Sequence, residues 1–384
     1  MIVGVPKEEA SGERRVALVP THIASLSKGG LDVVVQRGAG YASGYTDEMY
    51  QEKGATLLEK REEVYKRADL ILRVKAGKAN EGGYDEARLL REGQAIIGQF
   101  DPYGALEAME PYVEKGVQTF AMELVPRITR AQSMDVLSSM ANLAGYYSVI
   151  LAAGKLPKMF PMMMTAAGTV VPARVFVVGV GVAGLQAIAT AKRLGGVVSA
   201  YDIRPAVREQ VESLGAKFVE MELETEKAEG EGGYAKAMDE EFYRRQREMM
   251  NHVVAESDVV ITTAAVPGKR APILVTKEMV ERMQPGSVIV DIAAERGGNC
   301  ELTEAGQPVE HNGVTVLGPT NVASNLAHHA SQLFSKNITT FLLSMVEEGA
   351  LAPNPEDEIV QATRLTNNGA VASEAVEAIM KGEV

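Results

Sequence analysis

Short apolar runs rich in β-branched residues alternate along the chain with longer amphipathic ones. MIVGV, HIASLSKGG, LDVVVQ, YQEKGATLLEKREEVYKRA and DLILRV follow one another in that rhythm, and QAIIGQF (94–100) and VQTFAM (117–122) continue it. This alternation predicts strand–helix–strand units around a parallel sheet. Met140, Leu143, Ala144, Tyr147, Ile150 and Leu151 recur at helical spacing, which predicts a long helix from Leu137 to Ala153 leading into a second domain. Beyond it RVFVVGV, GVVSAYD, AKFVEM, SDVVITTA, GSVIVDIA and GVTVLG read as strands with helices between them, a doubly wound order over 145–318. From Asn321 a helical pattern through Leu326, His329, Leu333, Phe334, Ile338, Phe341, Leu342 and Met345 has no strand of its own, and is expected to return to the first domain. The expected fold is therefore α/β, with two doubly wound Rossmann-like domains joined by long helices. Residues 1–136 plus 328–384 form a discontinuous N-terminal domain, and 137–327 form a Rossmann domain.

Composition narrows the classes of function. A chain of 384 residues suits two domains, and 46% hydrophobic with 23% charged residues excludes disordered and fibrous classes. With 39 Lys+Arg against 51 Asp+Glu the net charge is -12, which repels phosphodiester backbones and argues against nucleic-acid binding. The single cysteine, Cys300, leaves no intrachain disulfide and no thiolate metal cage, so no metal is expected. MIVGVPKEEASGERR turns polar after its apolar start, from which no signal peptide and a cytoplasmic location are expected. MANLAGYYSVILAAG (140–154) and VFVVGVGVAGLQAIATA (175–191) each fall short of the about 20 apolar residues of a bilayer crossing, and read as buried elements.

The candidate chemistry is concentrated in two places. Gly179, Gly181 and Gly184 form GxGxxG directly after a strand and at the start of a helix, within the run Gly179, Val180, Gly181, Val182, Ala183, Gly184. The first glycine allows the tight turn, the second lets a pyrophosphate approach the backbone, and the third lets helix close on strand. Asp202, followed by Ile203 and Arg204, ends the next strand, where a carboxylate accepts hydrogen bonds from an adenosine ribose. Its charge disfavours a 2'-phosphate and so favours NAD(H), although Arg204 could pair with that phosphate. Further contacts are expected at the next strand ends, around Thr263, Ala264 and Ala265 and near 292–295. The second place is RITRAQSMDVLSS (127–139), between the apolar run TFAMELV and the long helix. Two readings stay open for it: an N-capped helix start, or the polar contacts of a ligand. A third segment, 222–241, is charged and glycine-bearing and reads as a long exposed loop that carries Tyr234 beside Gly233.

An alcohol or amine dehydrogenase moves a proton together with its hydride. The five histidines, His22, His252, His311, His328 and His329, fall in no obvious strand-end loop. The chain thus carries a hydride-carrier site without an evident proton-transfer group.

RITRAQSMDVLSSMANLA, PMMMTAAGTVVPARVFVVGVGVAGLQAIATAKRLG, VESLGAKF, GGYAKAM, ITTAAVPGK and GGNCEL together closely resemble the NAD(H)-binding component, domain I, of the proton-translocating NAD(P) transhydrogenases. The resemblance covers nearly the whole chain, and because the chain stops at Val384 without hydrophobic spans it suggests the separate-subunit form. It implies that Arg127, Gln132, Asp135 and Ser138 hold the nicotinamide and its ribose, with Gln132 aligning donor and acceptor and Arg127 and Asp135 beside it. It implies that the Tyr234 loop closes over bound nucleotide. It implies direct hydride transfer to NADP(H) on a partner, the beta subunit or domain III, coupled to proton movement by a membrane-embedded domain II. A homodimer peripheral to the plasma membrane follows from the same likeness. Such chemistry asks the protein mainly to hold two rings roughly 3 to 3.5 Å apart and exclude water. The alternatives are an alanine dehydrogenase-like enzyme and a non-catalytic NAD(H) sensor. Arg15 and Lys75 match the pyruvate-gripping positions of alanine dehydrogenase, but Gln99 stands where its catalytic histidine would fall, and Glu295 where it has an aspartate.

Overall fold

In the computed structural model, which describes residues 1–77, 86–220, 240–265 and 268–383, the chain divides into two compact units. One comprises Met1–Met140 with Ala323–Val384, and the other Ala141–Val322. The first boundary falls inside the helix Val136–Lys155.

The first unit is built on parallel strands β1 (Ile2–Val5), β2 (Asp32–Gln36), β3 (Thr56–Leu58), β4 (Leu70–Lys75), β5 (Ala95–Gln99) and β6 (Gln118–Ala121). Their spatial order, β3-β2-β1-β4-β5-β6, is doubly wound. The returning chain contributes the helix Ala327–Leu343 and then Arg364–Asn367, which pairs antiparallel with β6. On the returning helix Phe334, Ile338, Phe341 and Leu342 are buried, whereas Leu333, expected in the same stripe, is 39% exposed. The amphipathic run over 50–68 differs from a single helix. It divides into the end of the helix Asp47–Glu52, then β3, then the helix Arg61–Arg67. Gly54, at φ +92, turns the chain out of the first helix, and Thr56–Leu58 pair with Val34–Gln36 of β2. Helical periodicity within the segment cannot register such a cross-strand partner.

At the carboxyl ends of β1 and β4 the first unit buries charge. Arg73 is fully buried, with Nη1 donating to Glu86 Oε1 (2.6 Å) and Nη2 to Glu8 Oε2 (3.1 Å). The Val74 N–H donates to Glu8 Oε1 (2.7 Å), and the Tyr65 hydroxyl donates to Glu86. Arg73 thus bridges two buried carboxylates, and the buried Arg61 guanidinium stands 3.6 Å from Glu86 on the same network.

After the rest of the helix Val136–Lys155, the second unit forms a hairpin, β7 (Met163–Thr165) and β8 (Gly168–Val170), whose six residues are all exposed. Its main sheet comprises β9 (Arg174–Val178), β10 (Val197–Tyr201), β11 (Lys217–Phe218), β12 (Val259–Thr262), β13 (Val288–Asp291), β14 (Pro308–His311) and β15 (Val314–Leu317). The spatial order is β11-β10-β9-β12-β13-β15-β14, with only the edge strand β14 antiparallel. The same winding recurs: β10 and β12 flank β9, and the direction of winding reverses there. Strand alternation sends Val175 and Val177 into one core with Ile188 and Ala191, and Phe176 and Val178 into another with Met250 and Val254.

The helix Val136–Lys155 has 20 residues and is long and apolar enough to cross a membrane by length and composition, which corrects the expectation that this segment is too short. Its buried face also differs from the expected stripe. Gly145, Ser148, Val149 and Ala152 are buried, whereas Tyr146 and Ile150 are 41% and 36% exposed. Val149 and Ala152 enter the core shared with Val175 and Val177. Small side chains on that face permit a close approach of backbones, which a count of large apolar residues overlooks.

Removing Arg73 takes the guanidinium away from buried Glu8 and leaves Glu86 with the more distant Arg61, at 3.6 Å. Arg73→Ala is expected to destabilise the first unit by about 3–5 kcal/mol, read as a lower denaturant midpoint; an unchanged midpoint would show that the network is solvated.

Candidate functional site

The glycine run lies where β9 ends, between β10 and β12, which is the switch point of the second sheet. Gly179 has φ +91, and a Cβ there would sit 2.8 Å from Thr263 Oγ1 and 3.0 Å from the Ala264 nitrogen. Gly184 is tighter still: a Cβ would lie 2.0 Å from the Gly179 carbonyl oxygen. A Cβ at Gly181, by contrast, would meet nothing within 4 Å. Two glycines are therefore required by packing, and the middle one faces open space at the start of the helix Val182–Arg193. That helix presents first-turn N–H groups and the positive end of its dipole beside Gly181. The turn fits a pyrophosphate on the grounds of this cradle.

Gly145 belongs to the same arrangement, and sequence reasoning missed it. A Cβ on Gly145 would fall 2.1 Å from the Ala183 carbonyl oxygen, so the long helix touches the glycine turn backbone to backbone. The only signal in the sequence is a glycine in the middle of a helical run, which costs stability unless packing requires it.

Asp202 follows β10 and is buried, with 7% exposure. Its Oδ2 accepts from the Val180 N–H (2.6 Å), which ties the strand end to the glycine turn. Arg204 closes on the same carboxylate: Nε donates to Oδ1 and Nη2 to Oδ2, both at 2.8 Å. Arg204, by sequence a candidate partner for a 2'-phosphate, is thus engaged by Asp202, and Ile203 is half-buried between them. Thr263 Oγ1 donates to the Gly179 carbonyl (2.9 Å), Ala264 is half-buried, and Ala265 is exposed.

In the first unit, Arg127 and Gln132 are exposed, and Asp135 and Ser138 are half-buried. Asp135 Oδ1 accepts from the Ser138 N–H (2.8 Å) and Oδ2 from the Ser138 hydroxyl (2.6 Å). These bonds satisfy a first-turn amide of the helix Val136–Lys155, so the capping reading holds for this pair. Gln132 lies in the 3-10 segment Thr129–Met134, which is pinned from both sides. Arg130 forks onto Asp357 (3.0 and 2.6 Å), and Asn337 Nδ2 donates to the Ser133 carbonyl (2.9 Å). Gly233 and Tyr234 lie outside the described residues.

The alanine dehydrogenase-like positions are disposed differently from a proton relay. Arg15 forks onto Glu13 through Nε and Nη2, both at 2.7 Å. Burial pushes the Glu13 carboxyl up, but Arg15 and Lys75 outweigh it and bring its pKa down to about 2. Gln99 pairs with Lys75 across β5 and β4, and Glu295 is exposed. Beside Gln99, Glu123 Oε1 accepts from the N–H groups of Phe100 (2.7 Å) and Asp101 (2.6 Å), while its Oε2 is buried without a partner. Burial, only partly offset by those amides, pushes the Glu123 carboxyl up to about 7. The histidines are engaged elsewhere. His22 meets Ser335 (2.7 Å), His311 meets Glu281 (3.0 Å), His252 meets Glu256 (3.3 Å), and His328 contacts the Ser43 carbonyl (2.9 Å) with His329 packed against its ring. Among the described residues no group of three or more His, Cys, Asp or Glu could hold a metal ion.

Residues 4–144 match the family described as alanine dehydrogenase/PNT, N-terminal domain, and residues 148–374 match alanine dehydrogenase/PNT, C-terminal domain. The first part of NAD(P) transhydrogenase subunit alpha of Rhodospirillum rubrum is 47% identical over 379 residues, covering 98% of this chain and 99% of that protein. The crystal structure of transhydrogenase from Sinorhizobium meliloti superposes with a TM-score of 0.84 at 47% identity, over 98% of this chain and 100% of that one. An L-alanine dehydrogenase structure superposes with a TM-score of 0.81 at 26% identity, over 99% of each chain.

Two outcomes are expected. Gly145→Ala forces a methyl group into the Ala183 carbonyl and is expected to destabilise the second unit by about 1–3 kcal/mol; wild-type stability in chemical unfolding would contradict so close an approach. Glu123 has its folded pKa raised above the unfolded 4.5, so its contribution is fully present below pH 4.5 and is lost as pH rises through about 7. Glu123→Gln is expected to flatten the pH dependence of stability in that window, measured by unfolding at a series of pH values.

Proposed function

The chain belongs to the alanine dehydrogenase/PNT family, and from that membership we propose that it is the NAD(H)-binding component of a proton-translocating NAD(P) transhydrogenase. The observation that carries the reading is the glycine turn at the β9–β12 switch point, tied to Asp202, in a chain that matches a transhydrogenase alpha subunit over 98% of its length. When bound, NADH would supply a hydride to NADP+ held by a partner component. Backbone N–H groups from Gly181 to Gly184 take the pyrophosphate at the helix N-terminus, while those of Gly179 and Val180 stay bonded to Tyr201 and Asp202. Asp202 takes the adenosine ribose, with Ile203 and Arg204 around it, and Thr263, Ala264 and Ala265 form the adjoining wall. Arg127, Gln132, Asp135 and Ser138 take the nicotinamide and its ribose. Asp135 and Ser138 hold each other in place, and the exposed Gln132 is free to align the ring with its acceptor. Gly233 and Tyr234 are assigned to closure over the nucleotide on the strength of the resemblance alone.

The remaining partners follow from the same reading. An NADP(H)-binding component presents the acceptor, and a membrane-embedded component carries protons, which places this chain at a membrane surface through its partners. A second copy of the chain covers the exposed hairpin β7–β8, where Met162, Met163 and Met164 are 54%, 39% and 74% exposed; association would bury that surface. Alanine dehydrogenase activity is the second reading, and Gln99 and the exposed Glu295 disfavour it, since neither reproduces the histidine and aspartate of that enzyme.

The test is a spectrophotometric assay with NADH and an NADP+ analogue, with and without a separately prepared NADP(H)-binding component. Turnover is expected only in the mixture. No turnover in the mixture would refute the reading and favour a non-catalytic sensor, whereas NADH oxidation by pyruvate plus ammonia without a partner would establish the alanine dehydrogenase alternative. Gln132→Asn shortens the side chain by one methylene. It is expected to lower transfer by about 10- to 100-fold with NADH affinity nearly unchanged; equal losses in both would make Gln132 only a binding group.

A further inference from the structure

β12 ends at Thr262, and the next residues, Thr263 and Ala264, run on past the β12–β13 ladder while they still back the glycine turn. Beyond the ladder the peptide groups of Ala264 have no strand to pair with. Asn299 supplies the missing partner. Its side chain is fully buried, its Oδ1 accepts from the Ala264 N–H (3.0 Å), and its Nδ2 donates to the Ala264 carbonyl (2.8 Å) and to the Pro272 carbonyl (2.9 Å). One carboxamide thus reproduces the donor–acceptor pair that a neighbouring strand would offer. Only an amide can do so, because the site demands one acceptor and two donors on the same short side chain.

Asn299 is itself held rigidly. Its N–H donates to Asp291 Oδ2 (2.6 Å), and the same oxygen accepts from the Cys300 N–H (2.9 Å) and the Thr303 hydroxyl (2.7 Å). Gly298, at φ +77, brings the backbone so near that a Cβ would sit 2.8 Å from Asp291 Oδ2. The chain of contact runs from Asp291 to Asn299, from Asn299 to Ala264, and through Thr263 to the Gly179 carbonyl. A Cβ on Gly179 would lie only 3.0 Å from the Ala264 nitrogen, so the Ala264 peptide packs directly against the glycine turn.

We propose that Asn299 is a positioning residue of the dinucleotide site, holding the Ala264 peptide against Gly179 so that the glycine turn is shaped before nucleotide arrives. The inference rests on the reading of residues 179–184 as the NAD(H) site. Its test is NADH binding by fluorescence titration of the full chain, alongside thermal unfolding. Asn299→Asp keeps the shape but turns two donors into an acceptor facing two carbonyls, and is expected to raise the NADH Kd by about 10- to 100-fold. Asn299→Ser is read in the same way and serves if the aspartate variant does not fold. Val288→Ala trims the other core face of β13 and provides a control that lowers stability in a cluster to which Ala264 does not belong. The inference is overturned if an Asn299 variant binds NADH with the wild-type Kd, or if the control weakens binding as much at a matched loss of stability. If the wild-type chain itself binds no NADH, the nucleotide reading falls, and this inference falls with it.

Discussion

The second unit depends on backbone segments that touch where no side chain intervenes. A Cβ at Gly184 would stand 2.0 Å from the Gly179 carbonyl, one at Gly145 would stand 2.1 Å from the Ala183 carbonyl, and one at Gly179 would stand 3.0 Å from the Ala264 nitrogen. These three approaches lock a strand end, a helix start and the long helix Val136–Lys155 around one turn. A turn so held has little freedom left to lose when an anion arrives, and binding to it is correspondingly less costly in entropy. The apolar cores on the two faces of β9 supply the support that keeps the turn in register.

The two units share a winding order yet use their switch points differently. In the second, β9 ends in glycines and an open cradle. In the first, the residues after β1 include Glu8, which is buried against Arg73 and bonded to the Val74 amide. Paired charge there rigidifies the strand ends at the expense of an open approach to them. One topology therefore has one switch point shaped by absent side chains and another packed with charged ones. The polar segment 127–138 is fixed by outside contacts in a similar spirit: Arg130 to Asp357 and Asn337 to Ser133 leave Gln132 exposed on a braced stretch of chain.

Much of this was legible along the chain, because strands and helices of a doubly wound sheet announce themselves by local periodicity. β1, β2, β4, β5 and β6 coincide with apolar runs of the right length, as do β9, β10, β12, β13 and β15. β3 was hidden inside an amphipathic run, since its strand character comes from pairing with β2 and not from its own three residues. β14 was missed for the same reason, being an edge strand that exists only against β15. GxGxxG and Asp202 could be placed by spacing, but Asn299 could not be, because its partners Ala264 and Pro272 are 35 and 27 positions away.

Element types, the doubly wound class and the position of the glycine turn were readable from residue order, since each follows from periodicity and from the conformational freedom of particular residues. Three further features came from the folded chain alone: Arg204 closes on Asp202, Gly145 seats the long helix on Ala183, and a buried carboxamide pairs the chain just past the end of β12. The last two join segments far apart in the chain, and the first depends on how a single arginine turns back on its neighbour. Their energies depend on distance and burial, which no local pattern of residues encodes.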